Sequence, residues 1–198
     1  MAKQLEFWFD FASPYAYISS ARIEDLAAQH SFEIEWKPFL LGPIFRDQGW
    51  DSSPFVQYPA KGKYMFDDVA RICSKRGVAY NKPNIFPQNS LLPARIAVAA
   101  AGEEWMNEFI HAVFKVVFVN DLDISETQTM EPILSGLGLD ADKWLLAAHT
   151  AENKMLLREE TALAKSKGIF GAPSFIADGT LFWGDDRLMD AIESLGAN

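Results

Sequence analysis

The chain has 198 residues, which fits one domain, or one domain carrying a large insertion, and is long enough to bury a substantial core. Apolar residues at 49% and charged residues at 23% are ordinary for a soluble globular protein, and a net charge of −9 argues against nucleic acid or an anionic membrane as a main partner. No run of about 18 apolar residues occurs and the N-terminus lacks a signal-type apolar stretch, so no membrane span is expected. The single cysteine, Cys73, has no partner for an internal disulfide, which together with the missing signal points to a reducing, cytoplasmic setting.

Residues 5–11 and 32–39 read as strands, the second alternating as Phe32-Glu-Ile-Glu-Trp36. Residues 14–30 between them have helical composition, with Ile18, Ile23 and Leu26 available for burial. The handedness of β-α-β connections then favours a parallel pair. Residues 41–63, rich in Gly, Pro, Ser and aromatics, predict an ordered loop, because they carry too many large apolar groups for a disordered linker. Helical patterns follow at 64–76, closed by Gly77, and at 93–101, closed by Gly102. Trp105, Phe109, Ala112, Val113, Val116 and Val117 recur at helical spacing and predict a buried stripe. Ser125-Glu-Thr-Gln128 matches a capping box ahead of a short helix stopping near Gly136. Residues 140–167 read as one long helix or two in sequence. Residues 173–177 and 180–183 predict a hairpin across Asp178-Gly179, and a final helix places Leu188, Ala191, Ile192 and Leu195 on one face. The order is β-α-β, a helical block, then β-β-α, with no internal repeat.

Two motifs carry the chemistry. Phe7-Trp-Phe-Asp-Phe-Ala-Ser-Pro-Tyr15 is an apolar strand, a turn and a helix opening with Ser13-Pro14. Proline suits a first helical turn and serine is a favoured cap; the same hydroxyl, beside unpaired N–H groups at the positive end of a helix dipole, is also placed to hold a phosphate, carboxylate or thiolate. Gly171-Ala-Pro-Ser-Phe175 enters a strand through proline, either an ordinary strand-start proline or a cis bond at Ala172-Pro173. Asp185 and Asp186 stand where a helix cap is needed, and Trp183 either walls a pocket or fills the core. Arg46, Asn89 and Arg95 are each able to meet a carboxylate, without spacing that separates them. His30, His111 and His149 are isolated, so no metal site is expected. Cys73, in a helical segment, reads as a structural bystander.

Taken together, the strand–Ser-Pro-Tyr–helix opening, the Gly171-Ala-Pro173 entry and the terminal β-β-α resemble the α/β thioredoxin-like fold, in which a cis-proline loop faces the residue opening the first helix. A helical block between the halves resembles the DsbA-like disulfide oxidoreductases. The resemblance implies a discontinuous thioredoxin-like domain from residues 1–40 and 169–198, with 41–168 inserted as a loop plus an all-helical domain. Those oxidoreductases carry Cys-x-x-Cys where this chain has Ser13-Pro-Tyr-Ala16, and without an attacking thiolate dithiol exchange does not run there. The set Phe9-Asp-Phe-Ala-Ser-Pro-Tyr, Lys61-Gly-Lys-Tyr-Met, Gly171-Ala-Pro-Ser and Trp183-Gly-Asp-Asp-Arg-Leu188 is similar, over nearly the full length, to 2-hydroxychromene-2-carboxylate isomerases and kappa-class glutathione transferases.

That resemblance implies that reduced glutathione supplies the missing thiol as a cofactor. Ser13 would donate its hydroxyl proton to the sulfur as the catalytic residue, and Ala172, beside Pro173, would pair its backbone with the cysteinyl unit like an added strand. Asp185 and Asp186 match the pair that receives the γ-glutamyl end, with Asp186 meeting its ammonium. Lys61 matches a lysine that meets a glutathione carboxylate, although Lys63 stands two residues away and a solvated lysine is the plain alternative. Tyr15 and Trp183 would wall the substrate pocket. The implied reaction converts 2-hydroxychromene-2-carboxylate to trans-o-hydroxybenzylidenepyruvate by reversible thiolate addition, a step of aromatic degradation. A kappa-type transferase joining glutathione to an electrophile is the alternative, and a non-catalytic thioredoxin-like binding module the third. The family also implies a homodimer.

Overall fold

The computed structural model describes residues 3–196. Four strands, β1 (Lys3–Phe9), β2 (Phe32–Pro38), β3 (Ser174–Ala177) and β4 (Thr180–Trp183), form one sheet in the order β2-β1-β3-β4. β1 and β2 are parallel, joined by helix α1 (Pro14–His30), whereas β3 runs antiparallel to both β1 and β4. The expected β-α-β unit and terminal hairpin are therefore both present.

Period-two alternation in β1 sorts its side chains onto two faces. Leu5, Phe7 and Phe9 enter the larger buried cluster, while Trp8 joins a second one with Phe39, Ile44, Ala164, Ile169 and Ile176. Phe7 lies opposite Trp36 of β2 and Phe175 of β3, each at a ring-centroid distance of 5.3 Å. Such aromatic pairs contribute about 0.5–1.5 kcal/mol beyond their buried area and pin the register of three strands at once.

Residues 41–63 differ from the expected loop. They form α2 (Leu41–Asp47), α3 (Pro54–Gln57) and the opening of α4 (Pro59–Arg76), which begins five residues before the helix expected at 64. The prolines that suggested a loop sit in first turns, where a missing N–H leaves nothing unpaired. Gly62, inside α4, reflects a close crossing: a Cβ there would stand 2.2 Å from the carbonyl oxygen of Phe55 in α3. Because backbone cannot swing aside, Gly62→Ala is expected to cost about 1–3 kcal/mol in a urea titration, against the few tenths gained where a helix interior has room for alanine. A neutral or stabilising result would refute that crossing.

The remaining helices are α5 (Leu91–Ala99), α6 (Met106–Phe118), α7 (Thr127–Gly136), α8 (Ala141–His149), α9 (Ala151–Ser166) and α10 (Leu188–Ser194), the last preceded by a 3₁₀ turn at Asp185–Arg187. The segment 140–167 thus resolves into two helices, broken at Thr150, whose side chain accepts the Asn153 N–H (3.2 Å) and caps the second. The capping box at Ser125 does not form. The Ser125 hydroxyl donates instead to Asp123 Oδ1 (2.7 Å), and α7 opens one residue later at Glu126 without a side-chain cap. Leu188, Ala191, Ile192 and Leu195 are buried together, as their spacing required. No described helix is long and apolar enough to cross a membrane.

Candidate active site

The end of β1 runs into a turn where Asp10 gathers three chain segments. Its carboxylate accepts the N–H of Ala12 (2.9 Å), the N–H of Leu41 at the start of α2 (2.8 Å), and the hydroxyl of Ser90, the residue ahead of α5. Asp10 is buried, and burial lifts its carboxyl above the ordinary value although all three hydrogen bonds pull the other way.

Ser13 follows from that turn. Its N–H donates to the Asp10 carbonyl (2.9 Å), and its hydroxyl oxygen accepts the Ala16 N–H (3.2 Å), capping α1. The same hydroxyl donates to the carbonyl of Ala172 (2.8 Å), joining positions 159 residues apart. The Ala172-Pro173 peptide is cis. The loop is closed by the Ser174 hydroxyl on the Gly171 carbonyl (2.8 Å) and the Gly184 N–H on the Pro173 carbonyl (3.0 Å). Among the described residues, the N–H groups of Ala172 and Tyr15 have no acceptor. A helix start, a free strand-like N–H and a hydroxyl thus meet at one point. The arrangement is able to stabilise an anion that also offers a backbone-like acceptor to the Ala172 N–H.

This point lies in a cavity of about 1260 Å³, larger than the roughly 300–1,000 Å³ of most small-molecule sites. The cavity is bounded by the α1 start, the 171–173 loop, residues 183–187 and the inner faces of α2 to α4. Trp183 is half-exposed and forms a wall rather than core. Its ring stands 4.9 Å from that of Phe170, and its Nε1 would lie 2.3 Å from a Cβ at position 171, so only glycine admits it there. Tyr15 also lines the cavity and donates its hydroxyl to Asp68 (3.0 Å); burial first, and that carboxylate second, push the phenol well above its ordinary pKa, so it stays protonated.

One face of α4 contributes Lys61, Asp68, Ile72 and Arg76 at helical spacing. Lys61 is in the cavity with its Nζ 5.3 Å from the Tyr58 ring centroid, while Lys63 lies outside it, paired with Asp67 (2.6 Å). The two aspartates at the 3₁₀ turn have opposite surroundings. Asp185 is buried: its Oδ1 accepts from the Ser19 hydroxyl (2.9 Å) and Arg22 (3.2 Å), and its Oδ2 from Arg76 (2.8 Å). Asp186 is exposed, with Arg187 at 3.6 Å. Arg46 and Asn89 reach the cavity and Arg95 does not.

Cys73 lies outside the cavity, buried, with its thiol pushed up to about 11 mainly by burial. The folded protein should accordingly resist iodoacetamide at neutral pH and react fully once unfolded. Labelling of the native protein at the rate of a free thiol would contradict this burial.

The family model for the DSBA-like thioredoxin domain matches residues 4–195. The chain belongs to that family. It is 28% identical over 194 residues to a 2-hydroxychromene-2-carboxylate isomerase of Sphingobium xenophagum, covering 98% of each chain. It is equally 28% identical over 208 residues to glutathione S-transferase kappa 2 of Caenorhabditis elegans, covering 98% of this chain and 92% of that one. A solved 2-hydroxychromene-2-carboxylate isomerase has the same fold, with a TM-score of 0.89 at 21% identity over 98% of this chain and 94% of that one. The expected thioredoxin-like, DsbA-type architecture is thereby established.

Within this DSBA-like chain, two participants escaped the sequence reading. Asp10 stands inside a recognised motif, but nothing in the motif indicates that it also receives α2 and Ser90. Arg76 had a usable signal: it falls at helical spacing from Lys61 and Asp68, on a face of α4 separate from the buried Met65, Val69 and Cys73.

Proposed function

We propose that the protein is a glutathione-dependent isomerase acting on a small bicyclic aromatic carboxylate of the 2-hydroxychromene-2-carboxylate type. The observation that carries this reading is the convergence of the Ser13 hydroxyl and the Tyr15 and Ala172 N–H groups in a cavity that, among its described lining, has no thiol. The residues fit glutathione. The free Ala172 N–H and its carbonyl match a cysteinyl backbone, Lys61 has no carboxylate partner among the described residues, and Asp186 is an exposed acceptor. Glutathione supplies a nucleophilic thiolate that adds to an electrophilic carbon and leaves again.

The chain's own residues do the rest. Ser13 donates a proton toward the sulfur position and favours the thiolate, with the α1 dipole in support. Tyr15, kept protonated, holds Asp68 and shapes the wall beside Ser13. Phe45 and Trp50, whose ring centroids are 5.8 Å apart, line the cavity with Phe55 and Phe86 and suit a flat ring system. Arg46, in the same region and without an ion pair among the described residues, suits the substrate carboxylate.

Equal identity to a kappa transferase favours a second reading, permanent conjugation of glutathione to an electrophile. An absorbance assay separates them. Glutathione-dependent conversion of 2-hydroxychromene-2-carboxylate supports the isomerase, and conjugation of an aryl halide without that conversion supports the transferase. Neither activity, with no glutathione binding by calorimetry, refutes both.

A further inference from the structure

Trp183 ends β4 opposite Ser174 of β3, and the N–H of Gly184 after it donates to the Pro173 carbonyl (3.0 Å). This register sets the indole beside the 171–173 loop. Its pyrrole edge covers Gly171, where a Cβ would meet Nε1 at 2.3 Å, Cε2 at 3.0 Å and Cδ1 at 3.1 Å. The backbone at 171 is not in the positive-φ region, so the glycine answers to the tryptophan and not to the turn. Gly171 is buried while Trp183 is half-exposed, so the edge that carries the nitrogen lies innermost. The Phe170 ring packs on the indole at 4.9 Å. The Nε1–H of Trp8 is used, donating to Glu6 (2.6 Å). That of Trp183 has no acceptor among the described residues, and an indole nitrogen is able only to donate.

We propose that Gly171 and Trp183 act together to set substrate specificity: the glycine admits the indole, and the Nε1–H donates to an oxygen beside the substrate's reacting carbon. The proposal rests on the glutathione reading above and names what the second ligand must carry. Position 171 adjoins Ala172, whose carbonyl receives the Ser13 hydroxyl, so this donor stands next to the point that would hold the thiol. A donor so placed meets an atom only a few bonds from the carbon under attack. In 2-hydroxychromene-2-carboxylate the oxygen geminal to the carboxylate is such an atom, which leaves the carboxylate itself to Arg46. The indole keeps its hydrogen throughout and no proton is transferred. A ligand without that oxygen covers the N–H, removes its water and gives nothing back. The pair therefore favours oxygenated substrates and disfavours aryl halides that lack an acceptor at this position.

The test uses ligands that do not react. 2-Hydroxychroman-2-carboxylate keeps the oxygen beside the carboxylate but has no double bond for a thiol to attack, and chroman-2-carboxylate lacks only that hydroxyl. In calorimetry, the wild-type protein loaded with glutathione should bind the hydroxyl analogue about 3–10-fold more tightly, the range of one neutral hydrogen bond. Trp183→Phe keeps a ring in the wall and should abolish that preference while holding the affinity for chroman-2-carboxylate and for glutathione. Gly171→Ala should push the half-exposed ring aside and abolish the preference too, and combining it with Trp183→Phe should change the preference no further. The protein has six tryptophans, and the indole N–H resonance missing from Trp183→Phe identifies the one in question. That resonance should shift on adding the hydroxyl analogue and not on adding chroman-2-carboxylate. Equal weakening of both analogues by Trp183→Phe would make Trp183 a wall and nothing more. An unchanged preference, or a resonance already fully shifted by glutathione alone, would also overturn the proposal. Absence of glutathione binding to the wild-type protein refutes the cofactor reading, whereas intact glutathione binding with no preference between the analogues refutes this role of Trp183 alone.

Discussion

Ser13→Ala should raise the pKa of the bound glutathione thiol by about 1–2 units and slow turnover at neutral pH by about 10–100-fold, the consequence of losing one hydrogen bond to a charged group. A free thiol titrates near 8.5, and on the proposed mechanism the Ser13 hydroxyl at the start of α1 would lower it, with the helix dipole in support. In that mechanism the active form is the deprotonated one, so activity should rise with pH through the thiol pKa. In the variant that rising limb moves to higher pH, and activity recovers in alkaline buffer where a structural defect would not. The thiolate absorbance of the complex measures the same shift directly. Ser13 also caps α1, so the alanine variant should be less stable by about 1 kcal/mol, whereas Ser13→Gly costs only a few tenths. Both variants lack the hydroxyl and should share the thiol shift. An unchanged titration in either would remove Ser13 from the chemistry and leave it a cap.

Asp185→Ala should be among the most damaging substitutions for stability. Its removal strands two guanidinium groups that are only partly solvated, with side-chain exposures of 24% for Arg22 and 31% for Arg76. Breaking a fully buried pair costs about 3–5 kcal/mol, and partial exposure of both arginines brings the expectation to about 2–3 kcal/mol. The neighbouring Asp186→Ala, at an exposed site, should stay within about 0.5 kcal/mol. Chemical denaturation of the two variants side by side measures the contrast. A loss below about 0.5 kcal/mol for Asp185→Ala would show that the cluster does not hold α4 to the 3₁₀ turn.

Much of this fold is legible locally. Alternation in 32–38, the Asp178-Gly179 turn and the Ser13-Pro14 opening each declare an element through a few adjacent residues, and each stands as read. The misreadings have a common physical source. Prolines at 43, 54 and 59 look like loop punctuation one residue at a time, yet all three occupy first helical turns where no N–H is needed. Ser125 to Gln128 has capping-box spacing, but Asp123 offers the Ser125 hydroxyl and N–H a nearer acceptor, and that local bond takes precedence. In the candidate site, the Ser13 and Ala172 pairing was accessible through two motifs, one at each end of the chain. The fates of Asp185 and Asp186 were not. Adjacent identical residues are separated only by what 3D packing places around them, here an arginine 109 positions away in sequence.

The bond between the Ser13 hydroxyl and the Ala172 carbonyl makes the two ends of the chain placeholders for one another. Each group satisfies the other, so an incoming ligand exchanges partners instead of meeting bare polar atoms. A ligand offering both a sulfur anion and a nearby N–H replaces that bond on both sides. A simple anion replaces it on one side only and strands the carbonyl of Ala172. On the glutathione reading, the Ser13–Ala172 bond would thereby disfavour halide and small carboxylates, which bring no N–H to the Ala172 carbonyl.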